Sequence, residues 1–370
     1  MSRPHLTSED LNAVQRALEA GYLSGDAPIV GEFENNFARA VGRKYGVAVA
    51  NGSVALDASI HSLNLTSEDE VLVPSFTIAS CLFAILRTGA TPVFVDSDAK
   101  TWNMCPRHFS SLVSARTKAL LLVHIYGLPV DLDPILEICR QRGIAIIEDA
   151  AESHTVMYKG RQCGTFGTAS TFSFYPNKAI TTGEGGMIVT DSEEFRDKLR
   201  SLRNLAFRPA PGRRFIHDEI GWNFRMSSLQ AALGNSQLNR MWEVTEEKRR
   251  IGLSYSDLLA GNEFIQMQPT ETEFSKNKFW VVGVLLDPSL DASLIAGHLK
   301  SSGIETRPFF YPLHLQPLLE RYGLARQPEL PVAERLGRSG IYLPSFVGIT
   351  PSEIERSATA LLSTIKTLVN

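Results

Sequence analysis

Four places in the chain set reactive residue types where an apolar run stops. At Val47-Ala-Val-Ala-Asn51-Gly52-Ser53 an aliphatic run enters a helical stretch through a glycine and a serine. Glycine admits a close backbone approach, and Ser53 sets a hydroxyl beside the free N–H groups of a new helix, which suits a phosphate. The same letters also read as a plain N-cap serine after a turn glycine. At Ile144-Ala-Ile-Ile-Glu148-Asp149-Ala-Ala-Glu152-Ser-His154 four apolar residues end in two adjacent acids. Side chains alternate along a strand, so one acid faces the ligand end while the other turns away. A carboxylate at such a tip is a counter-ion for a buried cationic ring nitrogen; a helix cap or an arginine's partner are the plainer readings. At Ser173-Phe-Tyr-Pro-Asn-Lys178 a hydroxyl and an amine stand five residues apart, with only small and apolar neighbours around the lysine. Loss of hydration lowers a lysine's pKa and frees its amine for Schiff-base chemistry, although most lysines simply lie on surface loops. At Gly221-Trp-Asn223-Phe-Arg225 an aromatic loop leads into a helical stretch, and Asn223 is either its cap or a donor to a phosphate.

Together these residues supply a phosphate cradle (Gly52, Ser53, Ser173), an acid for a ring nitrogen (Asp149) and a lysine for an aldehyde (Lys178). Pyridoxal 5′-phosphate has those three needs. The chain carries no G-x-x-x-x-G-K-[ST] loop, no G-x-G-x-x-G fingerprint and no H-E-x-x-H, so nucleotide-cofactor and zinc-hydrolase readings find no support, and no metal is expected.

The elements that must position these groups follow from periodicity. Apolar strands near 46–50, 70–73, 92–95, 118–124 and 144–148 alternate with helical stretches near 53–63, 78–88, 106–114 and 134–142, which predicts βαβ crossovers and a largely parallel sheet. Strands near 169–174 and 187–190 bring it to about seven, with ligands expected at the strands' carboxyl ends. Thr7 opens a first helix through a capping box, and Gly21 stops it. From Ser227 one long helix is expected to run toward Leu259, followed by a strand over Phe279–Leu286, a helix over Ala292–Lys300 and a short strand over Ile304–Arg307. A chain of 370 residues exceeds one typical core, and the division is expected near 245, giving a large cofactor-binding domain over 1–245 and a small C-terminal α/β domain over 246–370. With 44% hydrophobic residues, 21% charged residues and a net charge of -3, the composition is that of a soluble protein without a nucleic-acid footprint. No apolar run reaches the length of a membrane span. Four scattered cysteines (Cys81, Cys105, Cys139, Cys163) fit free thiols in the cytoplasm, and the N-terminus shows no apolar signal region.

The ordered blocks Leu23-Ser-Gly25, Phe33-Glu34, Asn51-Gly-Ser-Val-Ala-Leu56, Val73-Pro-Ser-Phe-Thr77, Gly89-Ala-Thr-Pro-Val-Phe-Val-Asp96, His124-Ile-Tyr-Gly127, Glu148-Asp-Ala-Ala-Glu152 and Thr182-Gly-Glu-Gly-Gly186 resemble those of the DegT/DnrJ/EryC1/StrS sugar aminotransferases, fold-type-I pyridoxal-phosphate enzymes. The resemblance runs nearly end to end. It implies that Lys178 bonds the cofactor and moves the proton, that Asp149 pairs with the pyridine nitrogen, and that Glu152 lies near the phenolic oxygen. It also implies that Gly52, Ser53 and Ser173 hold the phosphate. Asn223 would reach the phosphate bound by a neighbouring subunit, which makes the expected active unit a homodimer with shared sites. Relatives usually place an aromatic residue over the cofactor ring where this chain has Ile78, which leaves the stacking partner open, with Phe76 as a candidate. Within the family, Thr101-Trp-Asn-Met104, the block Tyr175–Met187 and Gly303-Ile-Glu-Thr-Arg-Pro-Phe-Phe-Tyr-Pro-Leu-His314 are most similar to perosamine synthases. That likeness implies L-glutamate as donor and GDP-4-keto-6-deoxy-D-mannose as acceptor, aminated at C4 for an O-antigen or other surface polysaccharide. Another nucleotide-linked ketosugar (at C3, or on a dTDP or UDP carrier) and a non-catalytic regulatory relative stand as alternatives. Tyr175, Phe309 and His314 are the residues expected to face the substrate.

Overall fold

The computed structural model describes residues 4–207, 215–324 and 328–369. The strands in chain order are β1 (Tyr45–Val49), β2 (Glu70–Pro74), β3 (Thr91–Val95), β4 (Thr117–Val123), β5 (Ala145–Asp149), a two-residue hairpin of β6 (Met157–Tyr158) and β7 (Arg161–Gln162), β8 (Ala169–Ser173) and β9 (Gly186–Thr190). Seven of them form one sheet in the order β1-β9-β8-β5-β4-β2-β3. Within it β2, β3, β4, β5 and β8 pair in parallel, while β9 runs antiparallel to both of its neighbours. Helices cover both faces, which is why β4 and β9 are nearly all apolar and buried instead of alternating. The strands' carboxyl ends at Val49, Val123, Asp149 and Ser173 therefore meet at one edge, and that edge carries the chemistry.

A second sheet, β10-β11-β13-β12, comprises β10 (Ile265–Gln266), β11 (Val282–Leu286), β12 (Arg307–Pro308) and β13 (Gly340–Leu343), all paired antiparallel. It packs with the helices Met241–Leu259, Ala292–Ser301 and Pro351–Val369 around an aliphatic cluster that includes Ile251, Val284, Ile295 and Leu361. Residue 245 lies inside the first of those helices.

Local rules account for most element starts. Thr7 and Asp10 form a reciprocal capping box for Ser8–Glu19, and Asn51 caps Gly52–His61 by accepting the Val54 N–H. Beyond Ser227, two helices stand where one was expected: Ser228–Leu238 and Met241–Leu259. The break falls at Asn239–Arg240, where the Arg240 guanidinium turns to meet buried Asp10 at 2.7 Å. The expected strand over Phe279–Leu286 begins only at Val282, because Phe279 adopts a left-handed backbone with φ 49°. The expected strand at Ile304–Arg307 is reduced to Arg307–Pro308. Among the described residues no helix is long and apolar enough to cross a membrane.

Candidate active site

The adjacent acids at the end of β5 divide as strand alternation requires. Glu148 turns away and is consumed in structure. Its carboxylate accepts from His124 Nε2 at 2.9 Å, from the Phe166 and Gly167 N–H groups, from Ser170 Oγ and, more closely still, from the Gly164 N–H. Burial works to raise its pKa, and these donors more than offset it, so the group stays below the usual carboxylate range. His124, Glu148 and Cys163 lie close enough together to suggest a metal, but Glu148's lone pairs are already committed to five donors. Asp149 points the other way, into a cavity of about 860 Å³. One oxygen accepts the Ala151 N–H at 3.0 Å, and the other lies 3.6 Å from Cys81 Sγ. Burial raises its pKa.

Gly52, Ser53, Glu152, Ser173, Tyr175 and Lys178 line the same cavity as Asp149. Glu152 Oε2 accepts the Tyr126 N–H at 2.9 Å, and burial pushes its carboxyl up to about 7 despite the Lys178 amine nearby. The Lys178 amine is itself pulled down by burial, while Glu152 and Asp149 oppose the fall. A lysine whose amine is pulled down in this way gives up its proton more readily, as a nucleophile must.

The loop that carries Lys178 is folded back on the end of β8. Phe174 N–H donates to Gly185 O, and Thr181 Oγ1 and Thr182 N–H donate to Phe174 O. The Lys178 N–H closes a turn on Tyr175 O at 2.9 Å. The glycines after the lysine let this loop press on the turn after β1, since a Cβ on Gly186 would stand 2.4 Å from Asn51 O. Gly52 answers the same constraint from the other side, for its Cβ would fall 2.8 Å from Ser173 Cβ. The result is a small concavity at the first turn of the helix Gly52–His61, edged by the hydroxyls of Ser53 and Ser173. Ser53 Oγ also meets Ser80 Oγ at 2.7 Å, and the buried Thr171 hydroxyl on the cavity wall has no partner among the described residues.

Pyridoxal 5′-phosphate fits this donor set. The concavity and its hydroxyls suit a phosphate, Asp149 a protonated ring nitrogen, Glu152 a ring oxygen, and Lys178 an aldehyde.

Three expected residues lie elsewhere. His314 is buried at 4% exposure, with Nδ1 on Ser75 Oγ at 2.6 Å and Nε2 on Glu334 at 3.3 Å, so it braces the aromatic loop without lining the cavity. Phe309 is wedged among Trp102, Tyr126, Phe76 and Tyr342; its neighbours Pro308 and Phe310 reach the cavity, as alternation about an inward Phe309 dictates, and Arg307 reaches it as well. Asn223 is exposed, pairs through its backbone with Asn204 and does not line its own chain's cavity. It does not cap the next helix either, since Ser227 and Gln230 do so.

Ile78 lines the cavity at 45% exposure. Phe76 cannot replace an aromatic there, because it is fully buried against Tyr126, Phe309 and Phe310. Sequence reasoning missed Cys81, Trp280 and Tyr342. The first lies one helical turn past Thr77 and the other two belong to the second sheet and its approach, with no motif to single them out.

The model of the DegT/DnrJ/EryC1/StrS aminotransferase family matches residues 4–362. The chain is 37% identical to the GDP-perosamine synthase of Escherichia coli O157:H7 over 95% of its length and 94% of that protein's. It is 36% identical to the GDP-perosamine synthase of Caulobacter vibrioides over 98% and 96%. The aminotransferase from Psychrobacter cryohalolentis superposes with a TM-score of 0.92 over the whole of both chains at 27% identity. The chain belongs to the DegT/DnrJ/EryC1/StrS aminotransferase family.

Proposed function

We propose that this aminotransferase moves the amino group of L-glutamate to C4 of GDP-4-keto-6-deoxy-D-mannose, giving GDP-perosamine, with pyridoxal 5′-phosphate held around Lys178. The observation that carries the reading is Lys178 set against two buried carboxyls, Asp149 and Glu152, in a chain matched nearly end to end by a GDP-perosamine synthase. When bound, the cofactor supplies an electron sink for the carbon that loses or gains a proton.

The chain's own residues do the rest. Asp149 keeps the ring nitrogen protonated, which suits a carboxylate sequestered from water at a strand end. Glu152, its carboxyl pushed up to about 7 by burial, would donate a hydrogen bond to the ring oxygen when protonated. Ser53, Ser173 and the first N–H groups of the helix Gly52–His61 take the phosphate. Lys178 Nζ would hold the aldehyde carbon at rest and, once displaced from it by the donor's amine, would serve as the base that takes the proton from the donor's Cα and as the acid that returns a proton to C4 of the sugar. Tyr175, half-exposed at the cavity mouth, contacts the substrate. We read the large unit as 1–245 and the small one as 246–370, with the cavity walled by both.

The active unit in this reading is a homodimer. What supports it is the exposed position of Asn223, which has no site in its own chain and is free to serve a neighbour's. A cytoplasmic location is supported by the four cysteines, all of which are free.

The test is to incubate the purified protein with pyridoxal 5′-phosphate, L-glutamate and the GDP-ketosugar, beside dTDP- and UDP-linked ketosugars. The expected result is 2-oxoglutarate and an amino sugar on GDP. Amination of a dTDP or UDP sugar, with the GDP substrate untouched, overturns the substrate assignment.

A further inference from the structure

Lys178 Nζ stands 3.7 Å from the centre of the Trp280 ring. An ammonium at that distance from an indole face is attracted by the ring's quadrupole, most strongly where water is displaced. The ring is held there from three directions. The Trp280 N–H donates to Tyr126 O at 2.9 Å. Its carbonyl accepts from Lys248 Nζ at 3.0 Å. Its indole Nε1–H donates to the carbonyl of Asn177, the residue before Lys178, at 3.0 Å. Lys248 is buried and also donates to Ser345 O at 2.6 Å, so the segment before β11 is tied to the end of β13. On either side of these contacts the backbone takes conformations that aromatic residues rarely adopt, Phe279 at φ 49° and Tyr126 at φ 61°. Strained backbone persists only where the surroundings over-determine it, and it gathers at functional sites. Here the two strained residues flank the indole, Phe279 as the residue before Trp280 and Tyr126 as the acceptor of its backbone N–H.

Several charged or titratable groups face that amine. Asp149 and Glu152, from the end of β5, favour its charged form. Lys248, from the helix Met241–Leu259, is brought down to about 8 by burial and by the Lys178 charge. His154 is held neutral, its pKa lowered to about 3 by burial. The Tyr126 and Tyr342 hydroxyls, 2.7 Å apart, are pushed up by burial and stay uncharged.

We propose that Trp280 is a positioning residue for Lys178, its indole face serving as the resting place where the released amine is held as an ammonium and kept aimed into the cavity. The proposal rests on the reading of Lys178 as the amine that takes up the cofactor. It gives the small sheet's approach segment a part in the chemistry of the large sheet's edge.

Cofactor-free protein tests it. The rate at which it captures added pyridoxal 5′-phosphate, followed by absorbance against pH, reports the fraction of neutral amine and so its pKa. The Trp280→Leu variant is expected to shift the inflection down by about 0.4–1.5 pH units, the range that a cation–π contact supports. Trp280→Phe keeps a ring and loses the indole N–H, and its inflection is expected to lie between the two. An inflection in Trp280→Leu that coincides with the parent's overturns the proposal, as does one in Trp280→Phe that matches Trp280→Leu. Should the leucine variant not fold, indole emission decides: the part of the parent's pH-dependent fluorescence lost in Trp280→Phe is expected to vanish also in Lys178→Met. If that part survives in Lys178→Met, the contact is not what titrates and the proposal falls. A parent that captures no cofactor at all overturns the reading of Lys178 itself, whereas capture blind to residue 280 overturns the proposal alone.

Discussion

Replacing Glu152 by glutamine separates a stability effect from a chemical one. The side chain is buried, its carboxyl accepts the Tyr126 N–H at 2.9 Å, and burial moves that carboxyl from an ordinary 4.5 to about 7. Lys178 pulls the other way without overcoming burial. Between those two values the folded chain keeps a proton that the unfolded chain has released. Stability therefore falls as pH rises through that window, and the loss is complete above about pH 7. At 1.36 kcal/mol for each tenfold change in proton affinity, the ionised carboxylate costs the cofactor-free fold about 3 kcal/mol near pH 8 and less than about 1 kcal/mol near pH 5. Glutamine keeps the acceptor for Tyr126 and never ionises. Glu152→Gln in cofactor-free protein is thus expected to be more stable than the parent near pH 8, with the gap closing toward pH 5. Denaturant midpoints and slopes at the two pH values measure this. Equal stability near pH 8, or a gap that does not change with pH, refutes the claim that Glu152 is a desolvated acid. Because the amide still offers a donor to a ring oxygen, the variant is also expected to retain activity.

Other perturbations address the remaining residues. Lys178→Ala is expected to abolish 2-oxoglutarate release, with about 10²–10⁴-fold lost from proton transfer alone, while the chain's fold by circular dichroism is unchanged. Asp149→Asn removes the charge that holds a ring nitrogen protonated, and should lower kcat by about 10²–10³-fold while leaving cofactor capture by Lys178 intact. Gly52→Ala places a Cβ 2.8 Å from Ser173 Cβ; overpacking of about 1–3 kcal/mol predicts roughly 10–100-fold weaker cofactor retention by dialysis. Ser173→Ala in the same chain should not rescue it, because the clashing carbon remains.

The seven-stranded sheet was legible because both of its faces are buried, so most strands read as apolar runs and the crossovers from β1 to β5 read as helices. The candidate site was legible where chemistry coincides with a strand end. Asp149 and Ser173 close β5 and β8, Lys178 follows at a turn, and Gly52 opens a helix after β1. What could not be read was whatever depends on contacts between distant segments. Nothing near His314 foretells that Ser75 and Glu334 occupy both of its ring nitrogens. The Phe309–Phe310 pair contributes opposite faces, and the letters alone do not say which phenylalanine is buried. The single long helix expected after Ser227 failed for a similar reason, since its periodicity is sound and the break is made by an arginine reaching for Asp10, some 230 residues earlier.

These misses share a physical cause that bears on specificity. The carboxyl edge of the large sheet supplies the groups that suit the cofactor, and those groups are placed by local rules of strand, turn and helix cap. The opposite wall of the same cavity comes from Trp280 before β11, Arg307 and Pro308 in β12, Phe310 beyond it and Tyr342 in β13. It is joined to the large sheet by contacts that include Tyr126 Oη to Tyr342 Oη at 2.7 Å and the Trp280 indole N–H to Asn177 O. Arg307, Phe310 and Tyr342 come from elements other than the strand ends and turn that place Asp149, Glu152 and Lys178. Changes at Arg307, Phe310 or Tyr342 are therefore expected to alter which ketosugar is accepted, read as kcat/KM across the nucleotide-sugar panel, while glutamate-driven release of 2-oxoglutarate in a single turnover persists. A variant at Arg307 that loses the glutamate half-reaction as fully as the sugar half-reaction would contradict this division of the cavity into a chemical edge and a selective wall.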